Sequence, residues 1–126
     1  RGLLDFDPRS NVLAVGAWPR PGQTLQFQRR DAAAANEDLG ALLTGARHAL
    51  AGRKVLGACL CTCNGRGSHL FEGPNHDAGL IQSQLGPLGL VGFFGNGEIG
   101  PIGRRNYLHG YTASLALFVE KPRPSA

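Results

Sequence analysis

Hydrophobic and polar positions alternate along this chain in blocks that change period, and the blocks predict its elements. Leu3 to Pro8 opens as an irregular segment, and Asn11 to Ala17 reads as a short apolar strand. The Trp18-Pro19-Arg20-Pro21-Gly22 run stops that strand, because its prolines and glycine force a loop. From Thr24 to Gln28, Leu25 and Phe27 alternate with Gln26 and Gln28, the pattern of a half-buried strand. Asp31 stands where an N-cap would sit, and Leu39, Leu42, Leu43, Ala46 and Leu50 recur at helical spacing up to Gly52. Val55 to Cys63 is apolar on both alternating faces, which predicts a sheet-interior strand covered on both sides. A glycine-rich loop from Asn64 to Gly73 then leads to a second helix over Asn75 to Leu85, with Pro74 suited to its first turn.

Leu88 to Gly95 and Glu98 to Gly103 are the next strands. Asn96-Gly97 between them is a type I′ hairpin signal, and Pro101 marks the second arm as an edge or bulged strand. Tyr111 to Val119 alternates again, and the Pro-rich tail from Lys121 to Ala126 is expected to fray. The order ββαβαβββ predicts an α+β fold. Its mixed, mainly antiparallel sheet has five to six strands, with both helices on one face. That leaves Val12, Leu25, Phe27 and Phe93 on the other face in need of cover.

Composition narrows the function classes. The 126 residues suffice for one domain, and 42% hydrophobic against 17% charged residues is a globular balance. No apolar run approaches the roughly 18 residues of a membrane span. The net charge of +4 is almost all arginine and is scattered, whereas nucleic-acid binding favours a stripe with interleaved aromatics. Cys59, Cys61 and Cys63 are an odd set within one strand, which fits a reducing compartment better than a disulfide framework. Strand residues two apart sit about 6.5–7 Å from each other, too far to gather three thiolates on one zinc, so no metal and no cofactor is expected. Cys59 and Cys61 are expected as buried, inert thiols. Cys63, where strand becomes loop near Arg66, is the one with a reason to react.

The chemistry-bearing residues fall in two stretches. One is Cys63-Asn64-Gly65-Arg66-Gly67-Ser68-His69 with His76-Asp77, and the other runs from Gly92 through Asn96, Glu98 and Pro101 to His109 and Thr112. At these residues the chain resembles the C-terminal part of the FIST family, named for F-box and intracellular signal transduction proteins. The likeness to "sCxgRG…hD…lG…GFf..GEIGP…n.lHgyT" extends from Cys63 to Phe118, and more loosely back to Asp31 and the opening segment. It implies an intracellular domain that senses small ligands such as amino acids, often attached to signalling or F-box modules, with no catalytic residues to carry over. On this reading residues 1–126 are a single C-type domain, a fragment or processed C-terminal part of a larger chain. Its location is cytoplasmic, or in a plastid where a transit peptide has been removed.

The residues themselves fit a ligand site. Gly65 and Gly67 bare the backbone around Arg66, whose guanidinium suits a carboxylate or phosphate. Asn75 at the helix start would aim a positive dipole end at the same region, and Glu98 would take an amino group. The expected ligand-binding set is Cys63, Asn64, Gly65, Arg66, Gly67, Asp77, Asn96, Glu98 and His109. The bland counterpart is an internal ion pair of Arg66 with Glu98 or Asp77. Two alternatives stand beside it. One is an enzyme with Cys63 as nucleophile, His76 or His109 as base and Asp77 or Glu98 as orienter. The other is a purely structural subunit of a host complex. The expected partners are a FIST N-type half, a host complex or a second copy.

Overall fold

The computed structural model describes residues 2–28 and 30–121. Its elements run β1 (Leu3–Asp7), β2 (Val12–Val15), α1 (Ala32–Leu50), β3 (Val55–Cys63), α2 (His76–Leu85), β4 (Leu90–Gly95), β5 (Ile99–Ile102), β6 (Arg105–Leu108) and β7 (Ala113–Val119). This is an α+β fold, with its strands divided among three sheets. β4-β3-β7 forms the central sheet, β3 being parallel to β4 and antiparallel to β7, and β1-β2 and β5-β6 are separate antiparallel ribbons. The parallel pair needs a crossover, and α2 supplies it.

Local chemistry explains the helix ends. The Asp31 carboxylate accepts from the Ala34 N–H at 2.8 Å, occupying one of the four donors that a helix start leaves unpaired. Ala51 and Gly52, both at positive φ, turn the chain out of α1. Asn75 also adopts a left-handed conformation, but its side chain makes no cap bond. The acidic residue of the first turn is Asp77.

Both helices pack on one face of the central sheet. Leu39 and Leu43 of α1 meet Ile81 of α2 and Leu60 of β3, with Leu90, Ala113 and Leu115 around them. Register explains the grouping, since Leu60 lies beside Gly92 on one side and Leu115 on the other. Gly92 is there of necessity, because a Cβ on it would run into the Leu60 carbonyl. The opposite face carries Cys59, Cys61, Val91, Phe93, Ala116 and Phe118, and among the described residues nothing buries it. The cover expected on both sides of β3 is thus present on one. Val12, Leu25, Phe27 and Phe93 are all exposed.

Three local expectations are corrected, and one strand is added. Thr24 to Gln28 forms no strand, and among the described residues none of the paired strands takes it as a partner. Leu3 to Asp7 is a strand rather than irregular, paired with β2. Asn96-Gly97 is not a hairpin turn: Gly97 alone has positive φ, where type I′ needs both, and β4 spends its pairing on β3. The hairpin is one step later, where Gly103 at φ 63° and Arg104 join β5 to β6, a strand the periodicity did not reveal. Pro101 lies on that two-stranded ribbon, where every strand is an edge. Of the tail expected to fray, Pro122 to Ala126 lies outside the described residues, as does Arg29.

Candidate functional site

The Asn64–Arg66 segment is a single 3-10 turn that carries the chain off the end of β3. It swings Arg66 inward, where only 5% of the residue remains exposed. Its guanidinium grips Asp77 with both edges: Nε donates to Oδ2 at 2.7 Å and Nη2 to Oδ1 at 2.8 Å. Nη1 donates to the Tyr111 carbonyl at 3.2 Å. Burial alone would raise the Asp77 carboxyl, but the bonds from Arg66 and His76 outweigh it and hold it below the usual carboxylate range. His76 Nδ1 lies 3.1 Å from Asp77 Oδ1, and its ring stacks on Phe71 with centroids 3.6 Å apart. A carboxylate only accepts, so Nδ1 carries the proton in that bond. The Phe71 ring also lies 5.5 Å from the Arg66 guanidinium.

Tyr111 locks the turn from the other side. Its φ of 62° is a conformation non-glycine residues rarely adopt. Its ring covers Gly65 so closely that a Cβ there would sit 2.9 Å from Cε1. Arg30 caps the same ring at 4.5 Å, a cation–π contact.

This network walls a cavity of about 420 Å³ between the start of α2 and β4. That lies within the roughly 300–1,000 Å³ usual for small-molecule sites. Leu60, Leu90, Phe71 and Phe94 give it apolar walls, with Thr62, His76 and Asp77 among its polar members. Phe94 leans over Gly67, 3.5 Å from where a Cβ would be, so the two meet in ordinary van der Waals contact at the cavity wall.

A second cluster lies apart from this cavity. The Thr112 hydroxyl and N–H donate to Glu98 Oε2 at 3.0 and 3.4 Å. Burial would raise Glu98, but these hydrogen bonds win and hold it low. Cys63 Sγ accepts from the Gly65 N–H at 3.4 Å, and the Cys63 N–H donates to the Thr112 carbonyl at 2.9 Å.

Of the nine expected ligand-binding residues, Arg66, Gly67 and Asp77 line the cavity, while Glu98 is not among its walls. Cys63 and Glu98 belong to the second cluster, Gly65 lies under Tyr111, and Asn64 and Asn96 are exposed. His109 Nε2 is 3.0 Å from the Gly100 carbonyl. Among the described residues no hydrogen bond joins Cys63 to His76 or His109, whose ring nitrogens face Asp77 and the Gly100 carbonyl. Thiol burial is also corrected: Cys63 is the buried one, and Cys59 and Cys61 are half-buried on the open face. No group of three or more potential metal ligands occurs among the described residues. Sequence reasoning missed Thr62, Phe71 and Phe94 as cavity walls. Thr62 breaks the apolar pattern of β3, which is the one signal that marks it.

The sequence profile of the FIST C domain matches residues 1–101. The chain belongs to the FIST C domain family. It is 50% identical over 120 residues to the uncharacterized protein Mb0898c of Mycobacterium bovis, a match covering 95% of this chain and 31% of that protein. A second relative, the uncharacterized protein Rv0628c of Mycobacterium tuberculosis, is 49% identical over the same shares. The chain thus spans about a third of the length of the curated relatives it matches. No solved structure matches it. Among the described residues no helix is long and apolar enough to cross a membrane.

Proposed function

We propose that this FIST C domain is a non-enzymatic sensory module of an intracellular signalling protein, and that it binds a small molecule in the cavity between α2 and β4. The observation carrying this reading is the Arg66–Asp77 pair, two buried charges bonded at both edges beside a cavity of about 420 Å³. A pair of this kind gives little net stability over an apolar packing, but it fixes geometry, which a recognition site requires. A panel of small metabolites tested by thermal shift examines it. Stabilisation by a member of the panel should disappear in Ala78→Leu, whose added carbons occupy cavity space. Stabilisation that survives in Ala78→Leu would place the ligand elsewhere.

A second reading concerns the bare sheet face. Val91, Phe93 and Phe118 expose more than half of their surface around the half-buried Cys59 and Cys61. A contiguous apolar face of this kind favours a protein partner: an N-type FIST half, a host complex or a second copy. Cross-linking from a probe attached at Cys61 tests it, and a probe that captures nothing counts against it.

A further inference from the structure

The cavity's own chemistry specifies a class of ligand, and the inference rests on the reading that the cavity binds a small molecule. Arg66 is the cation that would attract a carboxylate or phosphate, but Asp77 already balances its charge through two bonds, and the Tyr111 carbonyl takes a third. An anionic ligand would bring a second negative charge into a site whose positive charge is spent. Glu98, the anion that would have held an ammonium group, is not among the cavity walls and is engaged by Thr112. A zwitterion therefore finds neither of its counter-charges.

What the cavity offers instead is apolar area and uncharged polar groups, of which the Thr62 hydroxyl is the most deeply placed, while Ser68 and Asn75 line it from exposed positions. Thr62 is only 5% exposed, and among the described residues its hydroxyl has no hydrogen-bond partner. No buried polar side-chain atom among these residues is sealed off without a partner, so that oxygen opens onto the cavity it lines. A hydroxyl open to the cavity both donates and accepts, so it is available to a ligand that enters. The Phe71–His76 stack adds a flat aromatic wall, with His76 Nδ1 committed to Asp77.

We infer that the ligand is an uncharged, largely apolar molecule, aromatic or of similar bulk, bearing one hydroxyl or amide group that bonds to Thr62. The occupant is small and neutral, and free amino acids and inorganic anions are poor fits.

Methyl-labelled protein, in the form in which it is natively expressed, tests the inference by NMR with four probes: p-cresol, toluene, glycine and inorganic phosphate. p-Cresol should shift the methyls of Leu60 and Leu90, and bind more tightly than toluene. Thr62→Val keeps the side-chain shape and removes only the hydroxyl. It should weaken p-cresol about fivefold, the loss of one ordinary hydrogen bond, and leave toluene unchanged. If glycine or phosphate shifts these methyls while p-cresol does not, the inference is overturned and the cavity remains a ligand site. Equal affinity for p-cresol in Thr62→Val overturns the role of Thr62. If every probe, and a wider metabolite panel, leaves these methyls unmoved, the reading of the cavity as a site falls as well.

Discussion

Arg66 holds Asp77 through two parallel hydrogen bonds of 2.7 and 2.8 Å across 11 positions of sequence, tying the turn after β3 to the first turn of α2. The same guanidinium reaches the Tyr111 carbonyl 45 positions away, at the entry to β7. Three connections of the fold thus converge on one side chain. Asp77→Leu should therefore cost about 3–5 kcal/mol in chemical denaturation, because it leaves a buried cation uncompensated. The double variant Arg66→Met with Asp77→Leu should recover much of that loss. Equal destabilisation of the single and the double variants would mean the pair does not act as a unit.

The pH dependence follows from the two carboxyls held low. A depressed carboxylate contributes stability that is fully present above its unfolded pKa, about 4, and is lost as pH falls through its lower folded value. Thermal melts should be flat from these groups near pH 6 and drop progressively below pH 4. Asp77→Asn should lower the melt at pH 6 and flatten the acid limb. An unchanged acid limb in that variant would assign the loss to other groups.

Gly92 of β4 leaves no room for a side chain, because any Cβ there collides with the Leu60 carbonyl. Gly92→Ala should cost an amount at the upper end of the roughly 0.5–3 kcal/mol usual for single substitutions, with loss of the β3–β4 pairing. Gly89→Ala, with open space around its Cβ, is the control and should be near neutral. Hydrogen exchange of the β4 amides reads the difference.

The thiols should react in order of exposure rather than of nearby charge. Cys59 and Cys61 lie half-buried on the open face and Cys63 is buried, so a maleimide should label the first two sooner. The Cys61 thiol is pushed up by desolvation and by its neighbour Cys59, so labelling there should speed up at alkaline pH. Peptide mass spectrometry resolves the sites, and labelling of Cys63 ahead of both would contradict the burial.

Much of this fold is legible locally. The α1 cap at Asp31, the leucine stripe and the uninterrupted apolar run of β3 each depend on neighbours within a few residues, and each lies where the pattern puts it. The Thr24–Gln28 and Asn96–Gly97 misreadings share a cause. A strand exists only where another edge accepts its bonds, and each β4 residue pairs with one 32 positions earlier. The site divides in the same way. Arg66 and Asp77 stand out as charges among glycines and at a helix start, and their pairing was one of two weighed. That Tyr111 would turn a backbone carbonyl toward Arg66, or that Thr62 would face a cavity, depends on packing between distant segments, which residue spacing does not encode.

The most direct test of the central claim is a crystal structure of the protein soaked with the best stabiliser from the thermal-shift panel. The account predicts ligand density between β4 and the start of α2, within hydrogen-bond distance of Thr62 Oγ1, with the Arg66–Asp77 bonds intact. Density beside Glu98 and Cys63 instead, or a ligand that displaces Asp77 from Arg66, would contradict it.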